Sequence, residues 1–474
     1  MNQKHIHLIG ICGTAMASLA GMLKQRGHQV TGSDTAAYPP MSDFLASLNI
    51  PLSQPFSEKN LEPRPDLVIV GNAISRGNVE LEHVLDQRIP FESMARIVYD
   101  EFLTDRERLV VAGTHGKTTT SSLLAWLFTE GLRTPSFLIG GIAENFGSSF
   151  ALAKGRQFII EGDEYDTAFF DKGPKFLHYF PDAAILTSVE FDHADIYKNL
   201  DEVKTAFKRL VNLIPRGGLL LAWDGHPNVD ECLSHALCRV ERYGLGEQSE
   251  WRISNIDYSN HGTRWKVWRK GSLWAALESQ LAGEYNVLNA TAAASMAAHY
   301  DIPVDTLVHG LRSFRSVKRR LEVKAELNGI TIIDDFAHHP TAIAGTLQAL
   351  RTRYPGRRLW AILEPRSNTL RRKVFETELA ESLLQADEVV LADVFKSDVI
   401  AEAERLDRQA VIATLSHAGK TARLLASADS IVNAITPELR EGDVVAILSN
   451  GGFGGIYQKL PAALRARNEV STPA

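Results

Sequence analysis

Short, largely apolar runs recur along the chain, and most lead into a loop bearing glycine or polar residues. "HIHLIG", "HQVTGSD" and "DLVIVGN" come first, then "RLVVAG", "QFIIEGD" and "AAILTSV", and finally "GITIIDD", "RLWAILEP", "DEVVLADV" and "VVAILSN". Runs of this length with no polar alternation read as strands buried on both faces. Helical patterns lie between them, among them one from the first turn to about Gln25 and the alanine-rich "GEYNVLNATAAASMAAHY". Strands alternating with helices predict an α/β fold built on parallel sheets. No short repeat or low-complexity tract interrupts the pattern.

The chain has 474 residues, too many for a single core, and length alone suggests about three domains. The pattern divides into 1–107, 108–317 and 318–474, with boundaries near residues 107 and 317. Hydrophobic content of 45% and charged content of 23% are those of a globular protein. A net charge of −6 without a Lys/Arg stripe argues against nucleic acid as a partner. No apolar run reaches the ~18 residues that span a bilayer, and "MNQKHIHLIG" enters a strand almost at once, so neither a membrane segment nor a signal peptide is expected. The three cysteines, Cys12, Cys232 and Cys238, are odd in number and lack paired spacing, which disfavours disulfides and cysteine–zinc sites. A cytoplasmic location follows as the default. The sequence carries no mark of oligomeric state.

The chemistry concentrates where strands end. "LVVAGTHGKTTTSSLLAWLF", Leu109 to Phe128, is a strand, a glycine-bearing loop and a helix. It departs from the usual G-x-x-x-x-G-K-[ST] phosphate loop, because Val111 stands where the first glycine belongs. Gly113 and Gly116 still let backbone N–H groups converge on an anion at a helix N-terminus. Lys117 would reach the phosphates and Thr118 would offer a hydroxyl to Mg²⁺. A plain strand–turn–helix junction with a surface lysine is the competing reading, and a lysine at a loop tip would add little to folding. Two acid clusters follow later strands: Glu161, Asp163, Glu164 and Asp166, then Glu190, Asp192, His193 and Asp195. Each alone reads as a solvated strand end, and His193 alone as a hydrogen-bonding loop residue. Beside a phosphate grip, the carboxylates suit one or two Mg²⁺ ions.

In chain order, G-T-H-G-K-T-T, E-x-D-E, D-H-x-D, N-x-x-N-A and D-D-x-x-H-H-P resemble the ATP-dependent Mur ligases of peptidoglycan synthesis, over nearly the whole chain. The resemblance implies a Rossmann-like N-terminal domain for a UDP-sugar, a central P-loop ATPase-type α/β domain, and a Rossmann-like C-terminal domain for an amine. It implies ATP and Mg²⁺, with an acyl phosphate formed on the carboxylate of UDP-N-acetylmuramate and displaced by the amine. ATP contacts would come from Gly113, Thr114, His115, Gly116, Lys117, Thr118 and Thr119. Asn289 would meet adenine, Asp335 the ribose and Arg320 the γ-phosphate. Thr118, Glu161 and His193 would be metal ligands, and Lys117, Glu161, His193 and Arg320 catalytic residues.

Several family members carry a carbamylated lysine in the helix after D-H-x-D. Phe207 stands there, flanked by Lys204 and Lys208, and the branch that accepts UDP-N-acetylmuramate also lacks that lysine. "GICGTAM" and "NAISRGNVEL" resemble that branch's nucleotide-sugar segments, with Gly10, Cys12, Gly13, Thr14, Ser75 and Asn78 as candidate contacts; tight turns of a Rossmann-like sheet are the alternative. The segment from Asp163 to Pro181, "LEPRSNT" and "LSNGGFGG" resemble the members that reattach the recycled tripeptide L-alanyl-γ-D-glutamyl-meso-diaminopimelate rather than those that add L-alanine. Arg366, Ser367 and Asn368 are the candidate peptide contacts, since arginine suits bidentate carboxylate recognition. Phe169 and Phe170 would line a peptide groove or cap the central core. An NAD-dependent oxidoreductase is the rival class: Asp34 lies about 20 residues past Gly13, where a Rossmann fold holds a ribose. Cys12 breaks that fingerprint, and Lys117, Glu161 and His193 would go unexplained. An ATP-driven switch without ligation is a third reading.

Overall fold

The computed structural model describes residues 3–35, 37 and 41–471. Three sheets succeed one another along the chain. The first has five parallel strands in the order Leu52–Ser53, Gln29–Ser33, His5–Ile9, Leu67–Val70, Phe91–Ser93. Strand order reverses between His5–Ile9 and Leu67–Val70, so the loops after Ile9 and Val70 meet above a switch point, the usual ligand crevice of such sheets. Helix Thr14–Gln25 buries Met16 to Leu23 and reaches the second sheet, where Ser18 Oγ lies 2.7 Å from Ser149 Oγ.

The central sheet has ten strands. Gln157–Gly162, Glu107–Ala112 and Ala183–Leu186 are parallel neighbours, entirely or almost entirely buried, as their apolar runs predict. Their carboxyl ends carry the phosphate loop and the two acid clusters, so three distant stretches of chain come together at one edge. Helices Lys117–Glu130 and Glu284–His299 pack side by side behind them. Ala290, Ala292, Ala293, Ala294 and Ala297 are solvent-free there, their small side chains allowing close approach. Beyond Arg239–Gly244 the sheet continues into antiparallel strands Trp251–Ser259, Gly262–Arg269 and Ser272–Ser279, which the apolar-run reading did not identify.

The third sheet orders Glu322–Leu327, Ile330–Asp335, Val444–Leu448, Leu359–Leu363, Glu388–Leu391 and Thr421–Leu424, with only the first pair antiparallel. All three cysteines are free. Among the described residues no helix is long and apolar enough to cross a membrane.

The segment Asp163 to Pro181 differs from expectation. It forms a two-stranded hairpin, Asp166–Ala168 with Asp171–Pro174, then a turn of 3₁₀ helix at Lys175–His178. Phe169 and Phe170 sit at the hairpin tip and pack on Phe91 of the first sheet, with ring centroids at 6.2 and 5.2 Å. They tie the central domain to the first domain, and Phe169 packs against the core of the first domain and not that of the central one.

Candidate active site

A cleft of about 1460 Å³ takes its walls from all three sheets. Cys12 to Met16 enter from the first, Thr114 to Thr119 with Glu161, Glu164 and His193 from the second, and Arg320, Asp335, His339 and Arg366 from the third. The phosphate loop lies at its centre. Gly113 has φ 134°, and a Cβ there would fall 2.1 Å from Thr187 Oγ1. Gly116, at φ 83°, caps helix Lys117–Glu130, and a Cβ there would fall 2.5 Å from Asn289 Oδ1. Only glycine lets the backbone pass so close, and it leaves the first-turn N–H groups of the helix at the cleft. Thr114 N–H and His115 N–H are held by Ser188, at 3.0 Å each.

Lys117 is not a free surface group. Its Nζ donates to Gly113 O at 2.7 Å and to Glu164 Oε2 at 2.8 Å. Glu164 is buried at the end of the next strand, and its other oxygen lies 3.3 Å from His193 Nε2. Burial pushes Glu164 up, but Lys117 and His193 outweigh it and hold the carboxyl down at about 2. Burial works against the His193 cation too, yet Glu164 raises it to about 8. Thr118 Oγ1 donates to Glu161 Oε2 at 3.1 Å, and Gly140 N–H to Glu161 Oε1 at 2.6 Å. Burial, with Asp163 adding to it, pushes the Glu161 carboxyl up to about 7. Thr118 and Glu161 therefore present adjacent hard oxygen donors facing the cleft, a set that fits a magnesium-class cation.

From the third domain, the Arg320 guanidinium lies over the Phe336 ring at 5.0 Å, and among the described residues it makes no ion pair. Asp335 is buried at its strand end and accepts from Leu321 N–H, Ala337 N–H and Thr346 Oγ1, at 2.8, 2.9 and 3.1 Å. Its carboxylate is already largely engaged in holding the turn. Asn289 is buried beside the phosphate loop and bonds Asn286 through its amide. Arg366 lies over the Phe395 ring at 3.7 Å and 3.5 Å from Glu364, and it lines the cleft. Ser367 and Asn368 do not line it. Ser367 Oγ bonds His338 O, and Asn368 Nδ2 reaches Asp195 Oδ2 at 2.7 Å, across to the central domain. Thr369, which sequence reasoning passed over, adds a buried 2.6 Å bond to Asp192. The "RSNT" loop is thus a clasp between two domains.

In the first domain Gly10, Cys12, Gly13 and Thr14 form the turn above the switch point, with Gly10 at φ 81° and Gly13 capping the helix. Cys12 N–H bonds Asp34 Oδ2 at 2.9 Å and Thr35 N–H bonds Oδ1 at 2.7 Å, so Asp34 braces this loop from below. Burial, with Asp34 beside it, raises the Cys12 thiol to about 11, which makes it an inert wall. Asn78 caps helix Val79–Asp86 by accepting from Glu80 and Leu81 N–H, and Ser75 is exposed; Asn72, from the same loop, is the residue that lines the cleft. Phe207 is fully buried against Phe176, and Lys204 pairs with Glu231 at 3.0 Å.

Comparison with known proteins follows this division. Residues 5–101 match the Mur ligase family, catalytic domain, residues 111–297 the Mur ligase middle domain, and residues 319–451 the Mur ligase, glutamate ligase domain. UDP-N-acetylmuramate--L-alanyl-gamma-D-glutamyl-meso-2,6-diaminoheptandioate ligase of Haemophilus influenzae is 40% identical over 98% of this chain and 100% of its own length. UDP-N-acetylmuramate--L-alanine ligase of Clostridium kluyveri is 30% identical over 97% of each. The crystal structure of a murein peptide ligase from Psychrobacter arcticus superposes with a TM-score of 0.75 at 35% identity, over 97% of this chain and 98% of that one. Three matched regions in chain order, each lying over one of the three sheets that wall the cleft, show that this chain belongs to the Mur ligase family of ATP-dependent, amide-forming ligases.

Proposed function

We propose that this protein uses ATP to join the carboxylate of UDP-N-acetylmuramate to the amine of L-alanyl-γ-D-glutamyl-meso-diaminopimelate, returning a recycled peptide to peptidoglycan synthesis in the cytoplasm. The observation that carries this reading is the end-to-end likeness to a tripeptide-ligating relative, greater than that to an L-alanine-ligating one. The cleft supports it, because one space adjoins a glycine turn above a switch point, a phosphate loop and an arginine-bearing third domain. The courses of the three sheets support domain boundaries near residues 107 and 317.

In this reading the Gly10–Thr14 turn receives the UDP diphosphate, and the loop Gly113–Thr119 cradles the phosphates of ATP. Lys117 exchanges part of its contact with Glu164 for the phosphoryl group in transfer. Asn289 serves the adenine end and Asp335 the ribose. Mg²⁺, held by Thr118 and Glu161 with His193 serving a second ion, would supply charge neutralisation along the phosphates. The muramate carboxylate attacks the γ-phosphorus, ADP leaves, and an acyl phosphate forms. The peptide amine then attacks the acyl carbon, phosphate departs, and the amine's proton is lost. Arg320 compensates negative charge on the transferring group, and Arg366 takes a peptide carboxylate. Positioning and charge compensation therefore carry the reaction.

Label transfer tests the chemistry. With ¹⁸O in the muramate carboxylate, complete turnover in the presence of tripeptide should release ¹⁸O-labelled phosphate. Amide formed together with unlabelled phosphate would exclude the acyl phosphate.

A further inference from the structure

His115, Glu190 and His339 come from separate parts of the chain and converge on one point. His115 stands in the phosphate loop, Glu190 follows strand Ala183–Leu186, and His339 caps helix Pro340–Arg353 of the third domain. His115 Nε2 lies 3.4 Å and His339 Nδ1 3.7 Å from the same oxygen, Glu190 Oε2, and all three atoms lie within 4.8 Å of one another. The two rings are 4.7 Å apart. Direct charge-assisted bonds would be shorter, about 2.7–2.9 Å. Donors around a tetrahedral zinc with bonds of ~2.0–2.1 Å stand about 3.3 Å apart. The two separations to Glu190 Oε2, 3.4 and 3.7 Å, are near that value, so a small closing movement of the two rings would place an ion among the three donors.

The surroundings orient the donors. His339 Nε2 lies 3.1 Å from the Phe191 carbonyl, which can only accept, so Nε2 carries the hydrogen and Nδ1 is unprotonated, its one lone pair now accepting the capping Thr341 N–H that a bound ion would displace. That capping contact is long, at 3.3 Å. Thr341 Oγ1 donates to Glu190 Oε2 at 2.6 Å and fixes the carboxylate. An outer N–H given to a backbone carbonyl is how metal-ligating histidines are commonly held.

We propose that His115, Glu190 and His339 bind a divalent transition metal of the zinc class, at a site separate from the Thr118, Glu161 and His193 positions. Two imidazoles and one carboxylate favour zinc-like ions over magnesium, which prefers oxygen alone. Two ligands belong to the central domain and one to the third, so the ion pins the third domain to the phosphate loop. Turnover that requires the cleft to open is slowed while the ion is bound.

The test uses the full chain without substrates. Protein dialysed against Zn²⁺ with excess Mg²⁺ should retain one zinc per chain by mass spectrometry. Glu190→Gln and His339→Asn should lose it, whereas His193→Ala should keep it. Asparagine preserves the helix cap, and an unchanged circular dichroism spectrum and melting temperature for His339→Asn will show that the chain is folded. Co²⁺ should give a visible ligand-field absorption in the wild type that is absent from both variants. Zinc retained equally by wild type and both variants, no zinc retained by the wild type, or zinc lost only with His193→Ala would overturn the proposal.

Discussion

Lys117 belongs to two systems at once. It faces the space where a phosphoryl group would move, and it neutralises Glu164, whose side chain is only 3% exposed. Removing one member of a buried ion pair strands the other, at a cost of ~3–5 kcal/mol. His193 remains on Glu164, so Lys117→Ala should lose about 3 kcal/mol of stability, the low end of that range. Turnover should fall by ~10²-fold or more. Adding Glu164→Gln should restore most of the stability, read by urea unfolding without nucleotide, and none of the turnover. A single variant that keeps its turnover would remove Lys117 from the reaction. The G-K-T triplet made the strand, glycine loop and helix start legible in the sequence. The ion pair was not, because the spacing between Lys117 and Glu164 says nothing until two neighbouring strands place their ends together. The same limit hid the meeting of His115 with His339. For Asn78, an Asn before a helical run announced a cap as clearly as a ligand, and the cap is what the geometry shows.

At the scale of elements, apolar runs are the most legible signal, and the parallel strands that carry the site were readable for that reason. Strands Trp251–Ser259, Gly262–Arg269 and Ser272–Ser279 escaped notice because each keeps one wetter face and alternates apolar with polar residues. The hairpin from Asp166 to Pro174 was readable as a distinctive segment, but its docking partner was not. Phe169 and Phe170 rest on Phe91, so they bear on how the first domain is held. Phe169→Ala should raise KM for UDP-N-acetylmuramate several-fold, an effect of about 1 kcal/mol. The ratio of tripeptide to L-alanine use should stay within a factor of about three. Loss of amine selectivity with an unchanged sugar-nucleotide KM would return these rings to the peptide groove.

Across the whole molecule, the cleft exists because three sheets present loops to a common space. Polar contacts between the central and third domains include Thr369 with Asp192, Asn368 with Asp195, and His339 with Phe191 O, beside apolar ones such as Phe191 with Phe375. Polar contacts of this kind can be broken and remade during a cycle, whereas an apolar interface of the same size would resist opening. Arg320 and Arg366 line the cleft from the third domain, so in the proposed reaction use of the peptide depends on that domain completing the site. Carboxylates far from the reacting amine can then supply binding energy that orients it. The central claim, that this cleft serves a peptide and not a free amino acid, is tested most directly by kcat/KM for the two amines at saturating ATP and UDP-N-acetylmuramate. The tripeptide should be preferred by at least ~10²-fold, about 2.7 kcal/mol of transition-state discrimination. Equal ligation of L-alanine would contradict the account and make the protein an alanine-adding ligase.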